Sequence, residues 1–282
     1  MDGASSAPSG PVPLRQAIPT RLHFGIGPWD VRIAVRAAAI GVLVFVVAWL
    51  VTAATDEGGI SWAERAGRVM PIAPACSAVG AWAVLSHAVA RGETLAVAAL
   101  GRQESLIALP AVLGSAAVSL MVAAVIVSFP WIGIDGFYPA VVHATVWVWR
   151  DGAFVDLARG VVVGSDGAPR FLRVAAHALA PVGPPAAGRL AAALATSAAG
   201  LALPRLAAHA VLSSTHRNLR VRRYCGGRLP TVLVAIVAVA MTAALFQSAA
   251  ATRTPALLAP LPSVALLAYS GVLFRRWRAT GA

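Results

Sequence analysis

Long apolar runs, each roughly twenty residues and nearly free of charge, alternate along this chain with short polar stretches. They cover about Ile33–Ala54, Met70–Ala90, Leu106–Phe129, Ala186–Leu212, Leu229–Ala249 and Pro255–Phe274. A helix needs about twenty apolar residues to cross the hydrocarbon layer, and a soluble core cannot hide six such runs. The pattern predicts an α-helical polytopic membrane protein. Transmembrane helices 1–3 fall within 31–130, a small β segment within 131–185, and transmembrane helices 4–6 within 186–275.

Between the second and third runs the chain reads SHAVARGETLAVAALGRQESLIALP, with Arg91, Glu93, Arg102 and Glu104 around a short Ala/Leu/Val run. Gly92 can break the second span, and Glu93 suits the positive end of a new helix. Thr94–Leu100 form that helix and Gly101 ends it. The spacing predicts a short helix within 91–105 on one membrane face; a plain solvated connector is the alternative reading. In the 131–185 segment, Val146, Trp147, Val148 and Trp149 favour extended chain, Asp151-Gly152 signals a hairpin turn, and Phe154-Val155 resumes. Val161–Val163 form another β-branched run, closed by Asp166-Gly167. Two to four strands are expected, too few to be very stable unless they pack on the membrane portion.

Composition agrees. Apolar residues make up 59% of the chain and charged residues 12%, against roughly 25% charge in soluble domains. The formal charge of +12 comes from arginine alone, since there is no lysine. These arginines gather at the ends of apolar runs and not on one soluble domain, which argues for topology and against nucleic acid. Arg15, Arg21, Arg32 and Arg36 lie before or at the start of the first span. Arg217, Arg220, Arg222, Arg223 and Arg228 lie between the fourth and fifth, and Arg275, Arg276 and Arg278 follow the sixth. With alternating spans, all three groups, both termini and the 91–105 helix are expected in the cytoplasm, and 131–185 in the periplasm. Residues 1–30, rich in Pro, Ser and Gly, read as a disordered cytoplasmic tail without a cleavable-signal pattern, and 276–282 as a second tail. Cys76 lies in an apolar run and Cys225 in a basic loop, so no disulfide framework is implied.

The sequence contains no Gly-x-x-x-x-Gly-Lys loop, His-Glu-x-x-His or Cys-x-x-Cys. The six histidines are scattered. His209 and His216 could share a helix face, where interfacial polar residues are expected before a metal site. Arg189 and Arg205, near the ends of the fourth span, are expected to snorkel to headgroups. The other spans carry no charge in their interiors, which argues against a proton- or ion-coupled transporter. Pro71, Pro74, Pro204, Pro255, Pro260 and Pro262 are expected near span ends, setting helix entry and kinks, and abundant Ala and Gly permit close helix approach.

The run MPIAPACSAVGAWAVLSHAVARGETLAVAALGRQESLIALPAVLGSA resembles the second and third spans of the LptF/LptG family of lipopolysaccharide-export permeases. In that family a helix ends in a small polar turn, a Glu-Leu-x-Ala-x-x-Ala-x-Gly-type stretch follows, and the next helix begins near a proline. Glu93, Leu95, Ala98, Ala99 and Gly101 stand close to those positions, with Thr94 intervening between Glu93 and Leu95. VWVWRDGAFVDLARGVVV is similar to the first strands of the family's periplasmic β domain, and RTPALLAPLPSVALLAYSGVLFRRWR to its last helix. The resemblance covers about residues 30–278.

The resemblance implies a permease subunit of an ATP-driven, ABC-type exporter in the inner membrane, moving lipopolysaccharide or a related lipid toward the outer membrane. Its implied partners are a second permease subunit, a cytoplasmic ATPase dimer that binds the ATP, and a periplasmic bridge protein. The chain itself would hold no cofactor, no metal and no catalytic residue. Arg91, Glu93, Leu95, Ala98, Gly101, Arg102 and Glu104 would form the ATPase-coupling element. One departure stands out: the family's outer domain is a jellyroll of well over a hundred residues, whereas about fifty-five separate the third and fourth spans here. Other readings fit the bare architecture: a non-transport membrane scaffold or assembly protein, a degenerate permease paralogue, or a membrane-embedded lipid enzyme. The enzyme reading lacks a clustered His, Asp or Ser group at a membrane face.

Overall fold

The computed structural model describes residues 27–55, 61–138, 147–150, 152–156, 161–164, 166–171, 186–215 and 228–280. The tail over 1–26, the basic loop over 216–227 with His216 and Cys225, and Asp151 of the expected hairpin turn lie outside the described residues. In chain order the elements are α1 (Pro28–Thr55), α2 (Trp62–Val69), α3 (Ala73–Ala90), α4 (Glu93–Ala99) and α5 (Glu104–Ser128). Then come β1 (Trp147–Arg150), β2 (Ala153–Asp156), β3 (Val161–Val163), β4 (Pro169–Phe171), α6 (Ala186–Thr215), α7 (Arg228–Ala250) and α8 (Leu261–Thr280).

Among the described residues, six stretches are long and apolar enough to cross a membrane: Pro28–Thr55, Trp62–Ala90, Glu104–Ser128, Ala186–Ser213, Pro230–Ala250 and Ala256–Arg276. The helical polytopic architecture expected from the apolar pattern is therefore present. Helix starts differ from expectation for local reasons. α1 opens at Pro28, so Trp29 and Asp30, assigned above to the tail, form its first turn. Proline lacks an N–H that this turn would leave unpaired anyway, and the Asp30 carboxylate accepts from the Gly27 N–H at 3.0 Å. α2 occupies what reads as loop. The Ser61 hydroxyl accepts from the Glu64 N–H at 3.3 Å and the Glu64 carboxylate accepts from the Ser61 N–H at 3.0 Å, a reciprocal cap that starts the helix. Pro204, expected near a span end, lies inside α6.

α6 packs against α3, α5 and α8, while α1 leans on α3 and α5, and α7 on α8. The start of α1, the end of α3, the start of α5 and the ends of α6 and α8 meet around Ile33, Ala88, Ala108, Val211 and Phe274. Met70, Ile126, Ala191, Phe246 and Ala259 meet at the opposite end, nearer α2. Helices close on one another through small residues. A Cβ added at Gly80 would overlap the Ala37 carbonyl, one at Gly114 the Ala34 carbonyl, and one at Gly200 the Ser119 side chain. The Ser77 and Ser119 hydroxyls hydrogen-bond at 2.7 Å inside this contact. Leu43, Val47 and Leu50 of α1 and Ile236 and Val237 of α7 stay exposed, as suits faces turned to lipid.

The four strands form one antiparallel meander in the order β1-β2-β3-β4. Arg150 pairs with Ala153, leaving a two-residue turn whose Gly152 has φ 76°. Across β1 and β2, Trp149 and Phe154 meet edge-on with ring centres 4.6 Å apart. After β3, Arg170 donates to the Asp166 carboxylate at 2.8 Å, which together with the Ala168 N–H holds that carboxyl below its ordinary range.

Residues 131–138, grouped above with the β segment, pack on the helices instead. Ile132, Ile134 and Phe137 are buried among α5, α6 and Phe246 of α7. Arg189 does not snorkel: its guanidinium donates to the carbonyls of Ile126, Phe129, Pro130 and Ile132, covering the bare C-terminal end of α5. The Tyr138 hydroxyl donates to the Gly188 carbonyl at 3.0 Å, and burial pushes its pKa up to about 12.

Gly114→Val is expected to destabilise the bundle by about 1–3 kcal/mol, because the added side chain overlaps the α1 backbone at Ala34 and forces the two helices apart. Gly271→Ala, which meets open space, is expected to be neutral or mildly stabilising in the same thermal melts in detergent. Tyr138 contributes fully below the ordinary phenol value of about 10, where the phenol is neutral in both states, and its contribution fades as pH rises through about 12. Alkaline titration should show a late tyrosinate that Tyr138→Phe removes.

Candidate functional site

Of the residues implicated in coupling, all lie in one connector at the end of the bundle that holds the starts of α1 and α5. Arg91 ends α3, its N–H bonded back to the His87 carbonyl at 3.1 Å. Gly92 follows with φ 72° and Gly101 closes the far side with φ 83°, so α4 is bounded on both sides by left-handed backbone. Only glycine takes that conformation without strain. Glu93 lies in the first turn of α4 and Glu104 in the first turn of α5, where a carboxylate favours the positive helix end. Thr94 is buried and Val97 and Ala98 half-buried, so that side of α4 faces the bundle. Leu95, 53% exposed, and Leu100, 87% exposed, point away from it.

Two charged members of the connector are held by α1. The Trp29 indole N–H donates to the Glu93 carboxylate at 3.2 Å. Arg102 pairs with Asp30 at 2.7 Å and lies 5.9 Å from the centre of the Trp29 ring. Asp30 is 5% exposed, so its carboxylate depends on this partner and on the Gly27 N–H. Adjacent residues of α1 thus grip the start of α4 and the turn that leads into α5. Glu104 is close enough to His209 of α6 for the two to interact electrostatically. Among the described residues no three His, Cys, Asp or Glu side chains converge as a metal site, and His216 lies outside them.

Sequence reasoning placed Glu93 and Arg102 on the outward, partner-facing list and missed Trp29 and Asp30. Their partners stand more than sixty positions away in sequence, a separation that no local pattern reveals. The signal that was available is Gly-Pro-Trp-Asp itself: proline followed by an acid marks a helix start and would have moved both residues from tail to helix. Chemically, an indole–carboxylate bond and a carboxylate–guanidinium pair fix position; these contacts orient α4 and leave its apolar side open.

No known family model, curated protein or solved structure matches the chain.

Arg102→Gln is expected to cost about 1–3 kcal/mol, since it leaves the Asp30 carboxylate buried without its cation. Asp30→Asn should cost less, because Asn can still accept from Gly27 and the partly exposed Arg102 can turn to water. The double variant should sit nearer Asp30→Asn than the sum of the two, a coupling readable from a thermal double-mutant cycle in detergent.

Proposed function

We propose that the chain is a permease subunit of an ATP-driven exporter, lodged in the inner membrane with both termini in the cytoplasm, that moves lipopolysaccharide or a related lipid outward. The observation that carries this reading is the connector: a short helix set between two left-handed glycines, held to α1 by Trp29 and Asp30, and presenting Leu95 and Leu100 away from the bundle. A helix so oriented suits a groove on a cytoplasmic ATPase dimer, which binds and hydrolyses the ATP.

Arginine placement supports this orientation. Among the described residues, Arg32, Arg36, Arg91, Arg102, Arg228, Arg275, Arg276 and Arg278 lie toward the connector's end of the helices, against Arg65, Arg68, Arg189 and Arg253 at the other end, and Arg205 lies within α6. The excess marks the cytoplasmic side. With Glu93 and Arg102 engaged by α1, the face offered to the ATPase consists of Leu95, Leu100 and Arg91. The four short strands among the described residues are too few to enclose a lipid, so on this reading transfer across the periplasm falls to a larger outer domain of the second permease and a bridge protein.

The test is affinity purification of the tagged full-length chain from its native membrane, with mass spectrometry. A nucleotide-binding ATPase and a second permease are expected to co-purify. Leu95→Asp with Leu100→Asp should release the ATPase while the second permease stays. A chain that emerges alone, or retains the ATPase despite both substitutions, overturns this reading and favours the scaffold alternative. A reporter fused at Leu100 that maps to the periplasm would do the same.

A further inference from the structure

α4 is joined along the chain to α3 through Arg91 and Gly92 and to α5 through residues 100–103, and the surroundings of Gly92 and Gly101 are open within 4 Å of where a Cβ would be. These two glycines carry no side chain to pack, so a force passing from α4 along the chain is taken up in part by backbone rotation there. The side-chain route is different. Glu93, at the start of α4, is bound by Trp29; Arg102, beyond the Gly101 joint and just before α5, is bound by Asp30 and lies near the same indole ring. Both attachments land on consecutive residues in the first turn of α1, which is thereby tied to α4 at Glu93 and to the foot of α5 at Arg102.

α1 is built to follow. Its buried residues are Asp30, Ile33, Ala37 and Gly41, one narrow stripe, and the rest of its length is largely exposed. Along the stripe its backbone passes Gly80 of α3 and Gly114 of α5, and Ile33 near its start is buried in the cluster at the connector's end. Close contact anchored at that end resists separation there and leaves the more exposed remainder of the helix able to tilt with its first turn.

We propose that Trp29 and Asp30 are positioning residues that tie the first turn of α1 to α4 at Glu93 and to the foot of α5 at Arg102, so that α4 drives α1 directly through Glu93 and not only by way of α3 and α5. The transmission step rests on the reading of α4 as the ATPase contact; the clamp itself does not.

Two measurements separate these claims, both on the full chain in nanodiscs with Cys76 and Cys225 replaced and spin labels at Val35 of α1 and Ala99 of α4. In the chain alone, the parent should give one narrow distance. Arg102→Gln combined with Trp29→Phe should broaden it by about twofold, while Arg102→Lys, which keeps the charge, should leave it narrow. An unchanged width in the double variant overturns the clamp whether or not any ATPase is present. In the complex with the ATPase, labels at Val35 and Val127 of α5 should report an ATP-dependent shift that the double variant abolishes while still retaining the ATPase. A shift that survives in the double variant overturns α1 as the follower. Absence of any ATPase from the parent preparation counts against the proposed function and leaves the first measurement to decide the clamp.

Discussion

Gly80, Gly114 and Gly200 leave the backbones of α3, α5 and α6 open to direct contact, and the rest of the bundle depends on that contact. In lipid, apolar side chains gain little by leaving one neighbour for another, so helices associate through close van der Waals packing. Gly80 and Gly114 meet carbonyl groups of α1, and Gly200 meets Ser119, whose hydroxyl is bonded to Ser77. Serines and threonines in the same region return their hydroxyls to carbonyls of their own helices, as Ser115 does to Ala111 and Thr196 to Ala192. Polar atoms are thereby satisfied without holding the helices apart.

The two ends of the bundle solve the problem of bare helix termini in opposite ways. Near α2, Arg189 covers carbonyls that α5 and the following turn leave open, Tyr138 ties that turn to the start of α6, and Phe137 and Tyr138 pack on Phe246. Backbone, cation and aromatic contacts there interlock over several elements. Near α4, side chains far apart in sequence join α1 to the start of α4 and to the turn before α5, and two left-handed glycines bound the short helix. Those glycines articulate this end, an arrangement in which a displacement there tilts helices about the other.

The spans were legible because a charge-free run of roughly twenty residues has few competing explanations. The short connector helix was legible for a different reason: Gly92, Glu93 and Gly101 mark its ends by backbone preference alone. What stayed hidden shares a feature: its partners carry no local signature. Arg189 binds carbonyl oxygens, which every residue supplies, so nothing in the sequence distinguished capping from snorkelling. Trp29 and Asp30 meet residues of the connector between two other spans. α2 was hidden by its length and polarity, since Arg65 and Arg68 in an eight-residue helix interrupt the apolar pattern; Ser61 and Glu64 at capping-box spacing were the clue. Function was the least legible, because the sequence carries none of the phosphate-loop or metal-ligand motifs that announce a chemistry, and the coupling reading rests on a resemblance joined to the shape of one connector.

The clamp also constrains how that connector can be recognised. Had Glu93 and Arg102 faced outward, a partner could have been chosen by charge, with attraction that salt screens over about 8–10 Å. Both are instead turned to α1, where Asp30 is almost wholly buried, and the outward side of α4 is left with leucine and alanine, with Arg91 just before it. Interfaces draw most of their binding energy from a few buried anchors, while rim charges chiefly affect the rate of encounter. On our reading of α4, orientation and attachment are thus assigned to different residues: the clamp fixes how the helix is presented, and Leu95 and Leu100 supply the adhesion. A partner held in this way stays attached as ionic strength changes, and the force it delivers enters the membrane through the residues that orient the helix.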